Sequence, residues 1–124
     1  MKTAYKIESE EEVRNNFTQV PNMVGFIGLS PYARTLYEQY RITVGYGEEE
    51  SMCYKGVRRL AKECCMSPTS VIKARKELEE RGLIEVSVHQ DTHLQTHITK
   101  VKNIWKANAE FFKPTVPNME QNNS

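Results

Sequence analysis

The chain has 124 residues, of which 39% are hydrophobic, enough for one modest core but not for two domains. Its net charge of +1 excludes a uniformly basic or acidic protein, and the absence of an apolar run of about 18 residues argues against a membrane-spanning helix. The three cysteines are odd in number and no signal-peptide pattern opens the sequence, so we expect a cytoplasmic protein with reduced thiols.

Both ends of the sequence are polar. Residues 1–16 include four glutamates within the segment 8–12 and show no apolar periodicity, which favours a flexible acidic tail. Residues 113–124 contain two prolines and four asparagines or glutamines near the end of the chain and are predicted to be disordered. The single folded domain is therefore expected over residues 17–112.

The domain is predicted to begin with a short strand and a helix. Apolar and polar residues alternate from Phe17 to Val20, which is typical of an edge strand. Ser30 can accept from free backbone amides and Pro31 fits the first helical turn, so a helix should begin there. Its apolar stripe consists of Ala33, Leu36, Tyr37, Tyr40 and Val44. Residues 45–51 hold two glycines and three glutamates and predict a surface loop.

The central stretch predicts a short strand over Met52–Tyr54 and then two helices that share one small core. The inward positions of the first helix are Val57, Leu60, Ala61 and Cys64. Those of the second are Val71, Ala74 and Leu78. Ser67 and Pro68 supply the start of the second helix, which should cover residues 67–81, and Gly82 supplies a left-handed stop.

Positive charge is concentrated in these two helices. Between Lys55 and Lys76 there are seven basic residues and one acid, Glu63, a charge of +6 that leaves −5 for the other 102 residues. On a helical wheel, the outward face of the second helix carries a hydroxyl, a branched apolar side chain and two cations. These residues are Thr69, Ile72, Lys73 and Lys76. Such a face suits a DNA groove, which offers acceptors, thymine methyls and phosphates.

Two further elements follow. Ile84, Val86 and Val88 share one strand face, and Thr96, Ile98 and Lys100 are expected to share one face of a second strand. The polar segment 89–95 is predicted to be the turn of this hairpin. A final helix over residues 103–112 should then present a stripe made of Ile104, Trp105, Asn108, Phe111 and Phe112. This stripe must be covered either by the first helix or by a second subunit.

The spacing of the central residues carries a family resemblance. The matching residues are Leu60, Ala61, Met66, Ser67, Val71, Leu78, Gly82, Leu83 and Ile84. Together they resemble the helix-turn-helix of winged-helix DNA-binding domains. The flanking segments 20–22 (Val-Pro-Asn) and 29–31 (Leu-Ser-Pro) resemble more narrowly the replisome-organiser-like domains of phage and plasmid replication proteins in bacteria. Cys65 departs from the family, which commonly has glycine at that turn position.

This resemblance implies an α+β, mostly helical fold: a winged helix-turn-helix with a three-helix core, a β-hairpin wing and a C-terminal helix. It also implies binding of double-stranded DNA, in replication initiation or, alternatively, in transcription regulation. Base contacts are expected from the outward face of the second helix, at Thr69, Ile72, Lys73 and Lys76. Backbone contacts are expected at Lys55, Arg58, Arg59, Lys62, Ser67, Ser70, Arg75, Lys100 and Lys102.

Other functions have weaker sequence support. No Cys-x-x-Cys pair exists and the three histidines do not share a strand face, so neither a metal site nor a cofactor is expected. No phosphate loop or specific catalytic constellation is present, and we do not expect an enzyme. A homodimer or a protein partner that docks on Trp105, Phe111 and Phe112 remains an alternative role.

Overall fold

The computed structural model describes residues 17–45, 51–91 and 94–113. These residues form a 3-10 turn at Asn22–Gly25, four α-helices and three β-strands. The helices are α1 (Pro31–Val44), α2 (Val57–Cys64), α3 (Pro68–Glu80) and α4 (Trp105–Phe111). The strands are β1 (Ser51–Cys53), β2 (Ile84–Asp91) and β3 (Leu94–Val101). The arrangement is mostly helical α+β, as predicted, and is consistent with a winged helix.

Helix α1 begins and ends at the predicted residues. The Ser30 hydroxyl accepts from the Ala33 amide at 3.1 Å, and Pro31 occupies the first helical position. Gly45 follows the helix with φ of +79°, a left-handed value that residues with a Cβ adopt at a cost. The predicted stripe lies in the core: Ala33, Leu36, Tyr37 and Tyr40 are fully buried and Val44 is half-buried.

Helices α2 and α3 are joined by a tight turn whose geometry follows from its residues. Cys65 adopts a left-handed conformation with φ of +57°, and the Met66 amide donates to the Ala61 carbonyl at 3.0 Å, which closes the end of α2. Ser67 then caps α3 by accepting from the Ser70 amide at 3.1 Å. Cys65 therefore carries the strain of a left-handed conformation, which glycine at the same position would not.

One apolar core lies where α1, α2 and α3 meet the sheet. Its helical members are the predicted inward residues, including Leu60, Val71 and Leu78, all with no exposed surface. Burying one such side chain contributes roughly 1.5–3 kcal/mol to folding. The packing fixes the angle at which α2 and α3 project their outer faces from the domain.

The three strands form an antiparallel sheet in the order β1-β3-β2, and the register shows which face of β3 meets the core. Ile84 faces Val101 and Val86 faces Thr99, so residues 97, 99 and 101 share the face of Ile84. Thr99 and Val101 are buried on that face, whereas Ile98 and Lys100, which were predicted to share a face with Thr96, lie on the other one. The sequence did not indicate which face of this strand meets the core, because Thr96 and Thr99 give no hydropathy contrast.

The hairpin is also longer than predicted. β2 and β3 remain paired from Ile84↔Val101 to Asp91↔Leu94, so most of the segment 89–95 belongs to strands rather than to a seven-residue turn. Val88 is 54% exposed, which shows that the outer hairpin projects beyond the core. Polar residues suit both faces of a strand there, and polarity alone therefore does not mark a turn.

The predicted edge strand at Phe17–Val20 is wrong. These residues form no strand in the structure, and the Arg41 side chain donates from Nε to the Gln19 carbonyl at 3.4 Å, a backbone group that a strand partner would otherwise use. The segment instead lies along α1, where Phe17, Val20 and Ile42 line an open cleft of about 430 Å³. The 3-10 turn Asn22–Gly25 follows directly after Pro21.

Helix α4 packs back on the domain by its first residues. Ile104 is buried, and the Arg41 guanidinium of α1 lies 5.7 Å from the centre of the Trp105 ring. The Asn108 Oδ1 atom accepts from the Met23 amide at 2.8 Å, which ties α4 to the 3-10 turn. Intramolecular packing thus covers the first half of the aromatic stripe.

Several predictions fall outside the described residues. The acidic tail over 1–16 does so completely, as do residues 46–50 of the predicted loop and residues 114–124 of the second tail. No helix in the described part of the chain is long and apolar enough to cross a membrane.

Candidate nucleic-acid interface

The outer face of α3 is exposed along its length. The four residues predicted to contact bases, Thr69, Ile72, Lys73 and Lys76, all lie on the side opposite the buried Val71, Ala74 and Leu78. Ile72 is 51% exposed, although its side chain is apolar. The core therefore presents two lysines, a hydroxyl and a methyl-rich side chain together to solvent, which matches the chemistry of a major-groove edge.

A second part of the surface adjoins the start of α3. An open groove of about 570 Å³ lies over the turn between α2 and α3 and is lined by Arg58, Lys62, Cys65 and Ser67, among others. Arg58 and Lys62 are exposed cations one helical turn apart on α2. Since the beginning of α3 carries partial positive charge, a phosphate oxygen would be favoured here on both counts.

The other two cations predicted on or beside α2, Lys55 and Arg59, do not line this groove and instead meet the single acid of the region, Glu63. The Lys55 ammonium is 2.8 Å from Glu63 Oε1, and the Arg59 Nε atom is 3.1 Å from Glu63 Oε2. Gln39 of α1 donates to Oε1 at 3.0 Å. We call these four residues the Glu63 cluster. Its charges are unequally accessible, because Lys55 is 17% exposed and Arg59 is 68% exposed.

The cluster keeps Glu63 ionised. The hydrogen bond from Lys55 is the largest cause of a lowered pKa at Glu63, and Arg59 and Gln39 act in the same direction against the opposing effect of burial. The carboxylate therefore carries a full negative charge at neutral pH. Lys55, predicted to contact the DNA backbone, is paired with that charge and is largely shielded from solvent.

The remaining predicted backbone contacts are spread over the domain. Ser67 is exposed but its hydroxyl caps α3 and bonds to the Ser70 hydroxyl at 3.0 Å. Arg75 is half-buried, and its charge opposes in part the burial that raises the pKa of Tyr40 on α1. At the base of the hairpin, Lys100 and Lys102 lie 3.8 and 3.7 Å from the Glu85 carboxylate. That acid offsets part of the charge of these two lysines.

One bracing contact was not predicted from the sequence. The Glu77 carboxylate of α3 accepts from the Ser30 amide at 2.8 Å and from the Ser30 hydroxyl at 2.7 Å, so it caps the first turn of α1 from another helix. These bonds lower the pKa of Glu77. A residue 47 positions away gives no local signal, so the sequence could not indicate this contact.

The cysteines do not form an obvious metal site. Burial raises the pKa of Cys53 and raises that of Cys64 to about 11, with nearby Glu63 acting in the same direction on Cys64, so both are thiols at neutral pH. Cys65 is exposed at the mouth of the groove. No group of three or more metal-binding side chains occurs in the described residues, and the His89 and His93 side chains lie outside them.

A patch of phenylalanines remains exposed at the end of α4. Phe26, Phe111 and Phe112 are 67%, 47% and 48% exposed. The ring centres of Phe26 and Phe112 are 5.6 Å apart, and those of Phe111 and Phe112 are 5.0 Å apart, both edge to face. The predicted aromatic stripe thus divides into a covered half at Trp105 and this exposed half.

Comparison with known proteins agrees with the geometry. A family described as a helix-turn-helix domain matches residues 44–84, which contain β1, α2, the turn and α3. No curated protein and no solved structure matches the chain. The family match covers the two helices that carry the basic groove and the exposed face of α3, and it supports a helix-turn-helix DNA-binding domain.

Proposed function

We propose that this domain binds double-stranded DNA sequence-specifically, without catalysing a reaction, and that it acts in the initiation of phage or plasmid DNA replication. The observation that carries the binding proposal is the exposed face of α3 beside the basic groove at its start. Lys73 and Lys76 extend from that face and Arg58 and Lys62 line the groove, so one duplex can meet all four.

The two surfaces have different roles in this proposal. Arg58 and Lys62 neutralise phosphates and fix the register of the domain on the duplex without reading sequence. Lys73 donates to guanine acceptors and Ile72 packs on a thymine methyl, so this face of α3 supplies the discrimination. The hairpin has a smaller part because Glu85 offsets the charge of its two basal lysines.

The replication role is supported only by the resemblance of segments 20–22 and 29–31 to replication proteins. Both segments contribute to the fold: Pro21 is buried and Ser30 caps α1. Regulation of transcription is the alternative, since it would use the same α3 surface. Selection of bound duplexes from a random pool separates the two roles. An iterated direct repeat is expected for an origin, whereas a palindrome would favour a dimeric regulator.

Binding itself is tested by fluorescence anisotropy with a selected duplex over a range of salt concentrations. Arg58→Ala should weaken binding to all sequences and reduce the salt slope by about 1. Lys106→Ala is the matched control, because it removes one exposed lysine from α4 rather than from the proposed surface. If Arg58→Ala and Lys106→Ala behave alike, duplex binding through this groove is wrong.

A protein-interaction role is the second candidate. Its supporting observation is the exposed patch of Phe26, Phe111 and Phe112, since contiguous apolar surface often marks an interaction site. Light scattering measures whether the chain is a monomer or a dimer at micromolar concentration. A monomer that fails to bind any duplex would favour this role over DNA binding.

A further inference from the structure

We propose that Glu63 is a positioning residue for DNA binding, which holds the Arg59 guanidinium in the orientation that receives a phosphate. The inference rests on the proposed function, because it assigns a role in DNA binding to one acid on the helix that also carries Arg58 and Lys62. By its charge alone, Glu63 would be expected to oppose DNA binding, since a carboxylate repels the phosphates of DNA.

The geometry of the Glu63 cluster shows how this positioning works. Glu63 Oε2 accepts from Arg59 Nε at 3.1 Å, while Oε1 is occupied by Lys55 at 2.8 Å and Gln39 at 3.0 Å. Glu63 is 18% exposed and is tied to α1 through Gln39, so its carboxylate has little freedom to move. A fixed carboxylate on Nε fixes the plane of the attached guanidinium.

The contact leaves the binding end of Arg59 available. Only Nε is used by Glu63, and within the described residues neither terminal nitrogen of Arg59 has a hydrogen-bond partner. The side chain is 68% exposed, so these two nitrogens face solvent. Together they form a fork that binds a phosphate through two parallel hydrogen bonds. Glu63 thus occupies the one nitrogen that such a fork does not need.

Two opposing effects decide the sign of a Glu63 substitution. Removing the carboxylate adds a net positive charge, which favours binding, but at about 0.15 M salt the screening length is about 8 Å and the gain at a separated phosphate is small. Removing the carboxylate also leaves the Arg59 side chain free to move, so that DNA binding must include the entropy cost of ordering it. We expect the second effect to dominate, so Glu63→Gln should weaken duplex binding about three- to tenfold.

A double-mutant cycle tests whether Glu63 acts through Arg59. Anisotropy titrations of the full chain with one selected duplex would compare the parent, Glu63→Gln, Arg59→Ala and the double variant. Positioning predicts that Glu63→Gln loses affinity in the parent and has an effect smaller than about twofold when Arg59 is alanine. Unchanged or tighter binding of Glu63→Gln, or an equal loss in both backgrounds, would overturn the proposal.

Two controls separate positioning from other causes. Glu80→Gln removes an exposed acid from the end of α3 and should leave binding unchanged or slightly tighter. NMR relaxation of the Arg59 Nε–H group measures how ordered this side chain is. Its order parameter should be higher in the parent than in Glu63→Gln, at temperatures where both proteins are folded. An Arg59 side chain equally ordered in both proteins would also refute the role.

Failure of this inference is distinguishable from failure of the proposed function. If the parent binds duplex and Arg58→Ala weakens that binding while Glu63→Gln does not, only the positioning role is wrong. If neither Arg58→Ala nor Arg59→Ala differs from the parent, the proposed surface itself is wrong.

Discussion

The hydrogen bonds between Ser30 of α1 and Glu77 of α3, which we call the brace, allow a test of how the domain is held together. Glu77→Ala removes two hydrogen bonds, at 2.8 and 2.7 Å, from the Ser30 cap of α1. Hydrogen bonds to a charged group contribute about 1.5–3 kcal/mol each when well shielded, and Glu77 is only half-buried. We therefore expect a total loss of about 1–3 kcal/mol in the free energy of unfolding. For a domain of this size, each 1 kcal/mol lowers Tm by roughly 4–8 °C.

The stabilisation by Glu77 should depend on pH in a direction that follows from its lowered pKa. Hydrogen bonds from Ser30 hold the pKa of Glu77 below its usual 4.5, so the stabilisation is fully present above that value. It is lost as pH falls through the lower pKa of the folded state. Urea unfolding of the parent and of Glu77→Ala should thus differ most near neutral pH and converge in acid. Glu80→Ala, on the same helix, is the control; equal stability of the two variants, or a difference that persists unchanged in acid, would refute the brace.

Three further predictions follow from single residues. Lys73→Ala should reduce discrimination between selected and random duplexes by about 1–3 kcal/mol, measured by anisotropy; uniform weakening would instead make Lys73 a phosphate contact. Cys65→Gly should stabilise the domain by about 1 kcal/mol in urea titrations, because glycine relieves the left-handed strain, and a loss of stability would contradict the φ of +57°. A thiol reagent at pH 8 should modify exposed Cys65 well before Cys64, whose pKa is about 11. Equal modification rates at the two cysteines would contradict the protection of Cys64.

The helical part of the fold was predictable because its signals are local. Ser-Pro pairs mark the starts of α1 and α3, and each pair lies next to an apolar stripe that the structure buries. Gly82 ends the α3 region with φ of +80°, and its position after Leu78 was sufficient to identify the left-handed stop. Here cap chemistry, helix period and burial all agree.

The sheet was predicted less well because strand register depends on a partner. Thr99 is 3% exposed, yet no local pattern separates it from Thr96, and the choice of face follows from the pairing of Val86 with Thr99. The alternation of apolar and polar residues from Phe17 to Val20 likewise predicted a strand. Its Gln19 carbonyl is instead taken by Arg41, which lies 22 residues away.

In the candidate site, too, the features with local signals were predictable and the contacts between distant residues were not. The helical wheel was sufficient to identify the exposed residues of α3, since burial of Val71, Ala74 and Leu78 fixes the opposite face. The i,i+4 spacing of Arg59 and Glu63 allows their ion pair, but the wheel could not show that Lys55, which precedes α2, meets the same carboxylate. Nor could it show that Gln39 of α1 donates to that carboxylate.

Titration of the isotope-labelled chain with a selected duplex, followed by backbone amide NMR shifts, tests the proposed DNA surface most directly. The largest shifts should occur over residues 67–76 of α3 and at Arg58 and Lys62 on α2, with small changes at Phe26 and Phe112. Shifts confined to the phenylalanine patch, or none at a saturating duplex concentration, would contradict DNA binding through these helices.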